Sequence, residues 1–185
     1  DSSPLWAMGW DKRAVRLKVM EEGRWSTYLL PKATYNNDPS HGWFTEWPRI
    51  RKIGEGKMMM DMHGMFFDFP ATFSKYNSAG IRPIASHLRY IPDFCSWNGQ
   101  IVLATDESSI QGNLLTGQPQ SNLWFGTKGD FKDWGPATAY GAIWLNDIVS
   151  ANNVSEPFLL AGFEQRMAHI INHSEDSLSF VIQLD

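Results

Sequence analysis

Short turns that end in glycine recur along this chain, and each separates two runs of residues with the period of a β-strand. Residues 14–20 alternate apolar and basic side chains before the turn at Glu22-Gly23, and residues 24–30 form the returning run. Glu55-Gly56 and Asn98-Gly99 divide later parts of the chain in the same way. Such turns match the twist of paired antiparallel strands, and no segment has the period of a long amphipathic helix. The sequence therefore predicts an all-β fold built from hairpins.

The same patterns predict further strands. Residues 57–69 include three successive methionines, Met58 to Met60, and this run is expected to form one strand that is covered on both faces. In the last third of the chain, period and composition predict strands over residues 139–146, 158–163, 167–172 and 179–184.

The turn signals recur at intervals that scatter around the length of a propeller blade, roughly 40–50 residues. They occur at Gly23, Gly56, Gly99, Gly129 and Glu175. We therefore interpret residues 1–185 as a single β-propeller domain or a propeller fragment, with about four to five blades' worth of antiparallel sheet. A β-sandwich is the alternative, because it also has short strands and regular turns. Strand-like runs near both ends of the chain favour a piece of a larger propeller.

Composition excludes several classes of function. The net charge of −4 and the absence of a basic cluster argue against nucleic-acid binding. The single cysteine, Cys95, excludes an internal disulfide and a cysteine-based zinc site. No apolar run reaches the roughly 18 residues of a membrane helix, and no signal peptide opens the chain. Nine tryptophans are many for 185 residues, and large rings that are not needed in a core often bind sugars.

Several segments resemble a family of large, secreted bacterial β-propeller proteins from polysaccharide-degradation loci, whose members are usually labelled as glycosidases. The resemblance covers most of residues 41–172 and is carried by HGWFTEWPRI, MHGMFFDFP, GIRPIASHLRYIPDFCSWNGQIVLA, PQSNLWFG and EPFLLAGF. It implies a secreted or periplasmic bacterial protein whose partner is a polysaccharide or oligosaccharide. Family members are longer, which implies that the remainder of a larger propeller or a second copy of the chain completes the fold.

Polar residues among aromatic ones, at or near the ends of the predicted strands, are the candidate site. For a glycoside hydrolase, Glu46 lies between Trp43 and Trp47, and apolar surroundings would raise the pKa of this acid. Its partners would be a histidine or one of three aspartates. The catalytic candidates are Glu46, His41 and His63, the partner acids are Asp61, Asp68 and Asp93, and the substrate-binding candidates are Arg49, Arg82, His87, Trp43, Trp47 and Trp97.

Other roles for these residues remain open. In a polysaccharide lyase, His41 or His63 would remove a proton next to a uronate carboxylate, and Arg49 or Arg82 would neutralise the charge. In a carbohydrate-binding propeller without catalysis, the tryptophans would stack on sugars. His63 could equally be a packed core residue, and Glu46 could form an ion pair with Arg49. We expect no cofactor, and a divalent metal held by histidines is the alternative.

Overall fold

Residues 4–34, 48–87, 89–106 and 121–184 are described by the computed structural model, and these residues are arranged almost entirely in strands and irregular segments. A short 3-10 helix lies at Lys128–Asp133. The strands are β1 (Leu5–Trp10), β2 (Val15–Glu21), β3 (Arg24–Leu30), β4 (Lys32–Ala33), β5 (Arg49–Gly54), β6 (Lys57–Met62), β7 (Met65–Phe69), β8 (Arg82–Ser86), β9 (Tyr90–Trp97), β10 (Gln100–Asp106), β11 (Ser121–Gly126) and β12 (Ala139–Tyr140). The all-β prediction is confirmed.

The strands form three larger antiparallel sheets, and in each sheet the strands that follow one another in sequence lie side by side. The first sheet has the order β1-β2-β3, the middle sheet β5-β6-β7-β8 and the third sheet β11-β10-β9. A two-stranded pair of β4 and β12 joins distant parts of the chain. None of the sheets formed by the described strands closes on itself. Local antiparallel pairing explains why the hairpin turns could be located from sequence.

The middle sheet is buried on both faces. On one face, Met60, Met62 and Phe67 pack against the first sheet in a core that includes Val15 and Leu17. On the opposite face, a second core joins the middle sheet to the third; it contains Met59, Phe66, Ala85, Ile91, Phe94, Ile101 and Leu103. Successive residues of a strand point to opposite faces, so the run of methionines supplies both cores. The expectation that this run is covered on both faces is confirmed.

The expectation of one strand over residues 57–69 is wrong, because a turn at His63-Gly64 divides the run into β6 and β7. Both turn residues have positive φ, 52° for His63 and 77° for Gly64. This is the conformation of the tightest hairpin turns, and glycine adopts it without steric cost. Apolar residues on both sides conceal the turn in the sequence, because they read as one continuous buried strand.

The strands predicted near the end of the chain are also mostly wrong. Of residues 139–146, only Ala139–Tyr140 form a strand, and Phe158 makes an isolated bridge with Leu29. Residues 167–172 and 179–184 have no regular secondary structure and belong to none of the described sheets, and Met167 and Val181 are largely exposed. An alternating pattern indicates that a segment is able to form a strand. The strand forms only when a neighbouring segment pairs with its backbone.

An ion-pair network attaches the segment around residue 156 to the first sheet. Arg16 contacts Asp11 at 2.9 Å and Glu156 at 2.8 Å. Next to this network, the N–H of Leu29 donates to the carbonyl of Pro157, and the N–H of Leu159 donates to the carbonyl of Leu29, both at 2.8 Å. The network therefore joins two parts of the chain that are more than a hundred residues apart in sequence.

We expect the stability of this region to depend on pH through Asp11. Burial raises the pKa of Asp11, but hydrogen bonds from the N–H of Ala14 and from Arg16 and Arg13 outweigh it and lower the pKa from 3.8 to about 2. A lowered pKa stabilises the fold at pH values above about 4, and this contribution is lost as the pH falls towards 2. Because the carboxylate is partly exposed to solvent, we expect Asp11 to contribute about 1 kcal/mol to the free energy of unfolding above this pH range.

Urea unfolding between pH 7 and pH 2 checks this expectation. Asp11→Asn should have a lower free energy of unfolding than the wild type at pH 7, and this free energy should decrease less than that of the wild type on acidification. Glu164→Gln, which changes an exposed acid, is the matched control and should follow the wild type. If the free energies of unfolding of the wild type and Asp11→Asn change with pH in parallel, Asp11 is not the source of the pH dependence.

Candidate ligand-binding cleft

A cleft of about 700 Å³ lies where the end of the middle sheet meets the third sheet and the segment after the 3-10 helix. Its described lining comes from three parts of the chain: Ser86, His87 and Arg89; Thr105 and residues 122–124; and residues 134–136. The Ser86 hydroxyl donates to the carbonyl of Pro136 at 3.1 Å, and this hydrogen bond ties two walls together. The cleft thus depends on contacts between distant segments.

Aromatic rings form the inner wall of the cleft. The rings of Trp124 and Trp134 meet edge to face with centroids 5.2 Å apart. Buried Phe131 lies between them and the core, stacked on Trp124 at 5.3 Å and edge-on to Trp134 at 5.1 Å. Phe66 of the middle sheet contacts Phe131 at 5.2 Å. This packing fixes the two tryptophans at the cleft while each remains partly exposed.

Gly126 allows the ring of Trp124 to take its position. A Cβ atom at residue 126 would lie 2.3 Å from two ring carbons of Trp124 and 2.9 Å from a carboxylate oxygen of Asp130. Real contacts are not this short, so a side chain here would displace the ring. The Asp130 carboxylate is itself held by the N–H and hydroxyl of Thr127, which lower its pKa. Gly126 therefore shapes the wall of the cleft.

A buried His–Asp pair lies behind the cleft. Nε2 of His87 is 2.8 Å from Oδ1 of Asp61, and Nδ1 of His87 is 2.8 Å from the backbone carbonyl of Arg89. A carbonyl only accepts, so Nδ1 donates to it. Nε2 faces the carboxylate oxygen of Asp61, so both ring nitrogens of His87 are engaged by protein oxygens.

The structure brings three of the sequence-predicted residues to one end of the middle sheet. Arg49 begins β5 and lies opposite Asp61 in the register of β6. His63 forms the turn after β6, and His87 follows β8, where its N–H donates to the carbonyl of Gly64 at 2.8 Å. Arg49, His63 and His87 thus come from three strand ends that antiparallel pairing places together.

Two other predicted residues, Arg82 and Trp97, lie at the opposite end. Arg82 begins β8 and pairs in register with Asp68. Trp97 ends β9 beside the Asn98-Gly99 turn, where its exposed ring meets Phe125 edge to face at 6.1 Å. The structure does not bring these two residues to the cleft. His41, Trp43, Glu46 and Trp47 lie outside the described residues.

His63 has a conformational role in addition to its position at this end of the middle sheet. Its side chain is buried, and its ring meets that of Trp10 edge to face at 5.9 Å. Its backbone carbonyl accepts from the N–H of Ala33 at 3.2 Å. His63 therefore packs between the first and middle sheets, which agrees with the packed-histidine alternative of the sequence analysis.

The three aspartates proposed as partners of Glu46 are all engaged by other side chains. Asp61 contacts His87, and Asp68 pairs with Lys128. Asp93 lies 3.1 Å from Arg51 and 3.6 Å from Arg49, so it links β5 of the middle sheet with β9 of the third. Of these contacts, the ion pairs of Asp93 join one sheet to the next.

Sequence reasoning did not identify Arg89, Trp124 or Trp134 as site residues. Trp124 lies within a predicted strand and Trp134 follows a short helix that the sequence did not predict, so neither carries a local functional signal. No cluster of three metal-ligating side chains occurs among the described residues, and none of their helices is long and apolar enough to cross a membrane.

Comparison of the chain with protein-family models, with curated proteins and with solved structures found no match.

Proposed function

We propose that this protein is a carbohydrate-active β-propeller, or part of one, and that its three larger sheets are blades. Each sheet is a simple antiparallel meander, and successive sheets pack face to face through the two cores. Blades of a propeller have this connectivity, whereas sandwiches more often use Greek-key connections between two sheets. The resemblance to secreted bacterial propeller proteins from polysaccharide-degradation loci supports the same proposal.

The observation that carries the carbohydrate proposal is the pair of tryptophans in the cleft. Trp124 and Trp134 are fixed by packing on Phe131, and hydrogen-bonding side chains of Arg89, Asn122 and Thr105 line the same cavity. A saccharide presents apolar ring faces and a rim of hydroxyl groups, so aromatic surfaces beside polar groups match it. A volume of about 700 Å³ is within the range of small-molecule sites.

Glycoside hydrolysis is the reaction that we propose first, with Glu46 as the acid, and it needs no cofactor. It also requires a second group to assist water or to attack the sugar. Elimination by a lyase is the second candidate, and Arg89 at the cleft favours it because a guanidinium neutralises the charge that develops beside a uronate carboxylate. A secreted or periplasmic location would bring the protein to either substrate.

Incubation of the protein with a panel of plant, algal and bacterial polysaccharides separates these reactions. Hydrolysis would give new reducing ends without new ultraviolet absorbance. Elimination would give reducing ends together with the absorbance of an unsaturated uronate. Binding without any product would contradict both reactions and leave the non-catalytic, carbohydrate-binding alternative.

We expect Trp134→Ala to weaken saccharide binding about tenfold, because it removes an aromatic surface from the cleft. Trp97→Ala is the matched control, since it removes a more exposed tryptophan at the opposite end of the middle sheet and should leave affinity unchanged. Isothermal titration with a saccharide that binds the wild type measures both effects, and thermal melting verifies that each variant is folded. If Trp97→Ala weakens binding and Trp134→Ala does not, the saccharide-binding site lies outside this cleft.

A further inference from the structure

We propose that the outer face of the third sheet binds residues 167–184 of a second copy of this chain, so that two copies exchange these segments reciprocally; this inference is independent of the proposed function. The outer face is the side of the third sheet that is turned away from the middle sheet. It carries four side chains, those of Cys95, Trp97, Leu123 and Phe125. Residues 167–184 are named the arm.

The register of the third sheet shows which side chains share its outer face. Successive residues of a strand point to opposite sides. The row that lies side by side across the sheet and packs on the middle sheet consists of Phe94, Leu103 and Trp124. Each residue of the outer face is one or three positions away from Phe94 or Trp124 along its strand. The four side chains therefore point away from the middle sheet.

The outer face is both apolar and exposed. Trp97, Leu123 and Phe125 are 56%, 62% and 46% exposed, and Cys95 is exposed as well. In β2 of the first sheet, by contrast, the side turned away from the middle sheet carries Arg16 and Lys18. Neighbouring apolar side chains that face solvent are typical of a surface that another segment covers. The outer face of the third sheet has this character and the first sheet does not.

The arm has an apolar side that matches this face. Every second residue from 178 to 184 is apolar, and these four side chains are between 45% and 93% exposed: Leu178, Phe180, Ile182 and Leu184. Ser179 and Gln183 lie between them, so a strand formed here has one apolar and one more polar side.

A turn within the arm is already formed. The side-chain amide of Asn172 donates to the carbonyl of Asp176 at 2.9 Å, and the N–H of Ser174 donates to Oδ1 of Asn172 at 3.0 Å. Such side-chain hydrogen bonds hold a turn locally, without a sheet around it. The arm is therefore a hairpin in sequence and at its turn, and its two runs acquire strand structure when they pack on an apolar surface.

The position at which the arm begins favours a second copy over its own third sheet. Leu159 donates to the carbonyl of Leu29 in the first sheet, and Phe163 packs against the core between the first and middle sheets. The outer face lies about 20 Å from that core, beyond two sheets, because stacked sheets are about 10 Å apart. Residues 163–167 span at most about 14 Å when fully extended. The first run of the arm therefore does not reach the outer face of its own copy.

Reciprocal exchange buries enough apolar surface for a stable dimer. An apolar side chain of this size removes about 60–120 Å² from water, so the four of the arm and the four of the outer face contribute roughly 500–900 Å² per copy. Stable protein–protein interfaces bury about 800 Å² per partner. Exchange between two copies also closes the assembly, because each arm and each outer face is then occupied.

Analytical ultracentrifugation over a range of concentrations tests the dimer. We expect Ile182→Asp in the arm and Trp97→Asp on the outer face each to raise the dissociation constant of the dimer about thirtyfold or more, because each places a charge in an apolar interface. Val181→Asp is the matched control, since Val181 is 83% exposed and lies on the other side of the same run. It should keep the wild-type dissociation constant, and thermal melting verifies that all variants are folded.

Mixing the two monomeric variants tests the exchange itself. A pair made of one Ile182→Asp copy and one Trp97→Asp copy retains one unaltered arm and one unaltered outer face that fit together. The mixture should therefore contain more dimer than either variant alone at the same total concentration. A wild type that stays monomeric up to its solubility limit, a dimer that neither variant weakens, or a mixture without any gain would each overturn the proposal.

Discussion

Asp61→Ala is expected to lower the free energy of unfolding by about 3–5 kcal/mol, because it leaves a buried histidine without its charged partner. The side chains of His87 and Asp61 are only 4% and 6% exposed, and their contact is 2.8 Å long. Water therefore cannot readily replace the carboxylate as a partner for Nε2. The same variant should also reduce binding in the cleft, because Asp61 holds the ring that bonds to the carbonyl of Arg89.

Urea unfolding at neutral pH measures the loss of stability. Glu164→Ala removes an exposed acid of the same charge and should change the free energy by less than about 0.5 kcal/mol. The double variant Asp61→Leu/His87→Phe should be more stable than the sum of the two single changes predicts, since it removes both polar groups together. A loss below about 1 kcal/mol for Asp61→Ala would show that the pair is not buried and coupled in this way.

Gly126→Ala is expected to destabilise the protein by about 2–3 kcal/mol, because the added methyl group would overlap the ring of Trp124. The ideal Cβ position is 2.3 Å from the ring, so the ring must move. Displacement of Trp124 would also disturb its stacking on Phe131 and its contact with Trp134. We therefore expect loss of stability and loss of saccharide affinity in the same variant.

Thermal melting and saccharide titration test this second expectation. Gly9→Ala is the matched control, because it is also a glycine in a strand but has no atom within 4 Å of the added Cβ position. Gly9→Ala should retain both properties. If combining Gly126→Ala with Trp124→Ala costs no more than Trp124→Ala alone, the overlap with the ring is the cause. Unchanged melting of Gly126→Ala would contradict the packing of the cleft wall.

Local features of the fold were predictable from the sequence because each depends on residues that are close together in the chain. The turns at Glu22-Gly23 and Asn98-Gly99 have the positive φ angles of tight hairpins, and the flanking strands pair across them. The methionine run indicated burial on both faces. The turn at His63-Gly64 was missed because its apolar neighbours hide it, although a polar residue before glycine is itself a turn signal.

The candidate site was less predictable. Strand ends and hairpin order explain why Arg49, His63 and His87 gather at one end of the middle sheet. The sequence pattern grouped Arg82 and Trp97 with these three residues, although both lie at the other end of the sheet. The face on which a side chain lies, and the end of the sheet that it reaches, depend on the register of the strands.

By itself, the sequence determined an all-β chain of hairpins whose central strands are buried on both faces. Only the tertiary structure decided that Arg89, Trp124 and Trp134 share one cleft and that Asp61 supports it through His87. The physical reason is that a hairpin is specified by neighbouring residues, whereas the cleft forms where one sheet packs on the next. That packing depends on which buried faces fit together, and the local period of the sequence carries no information about it.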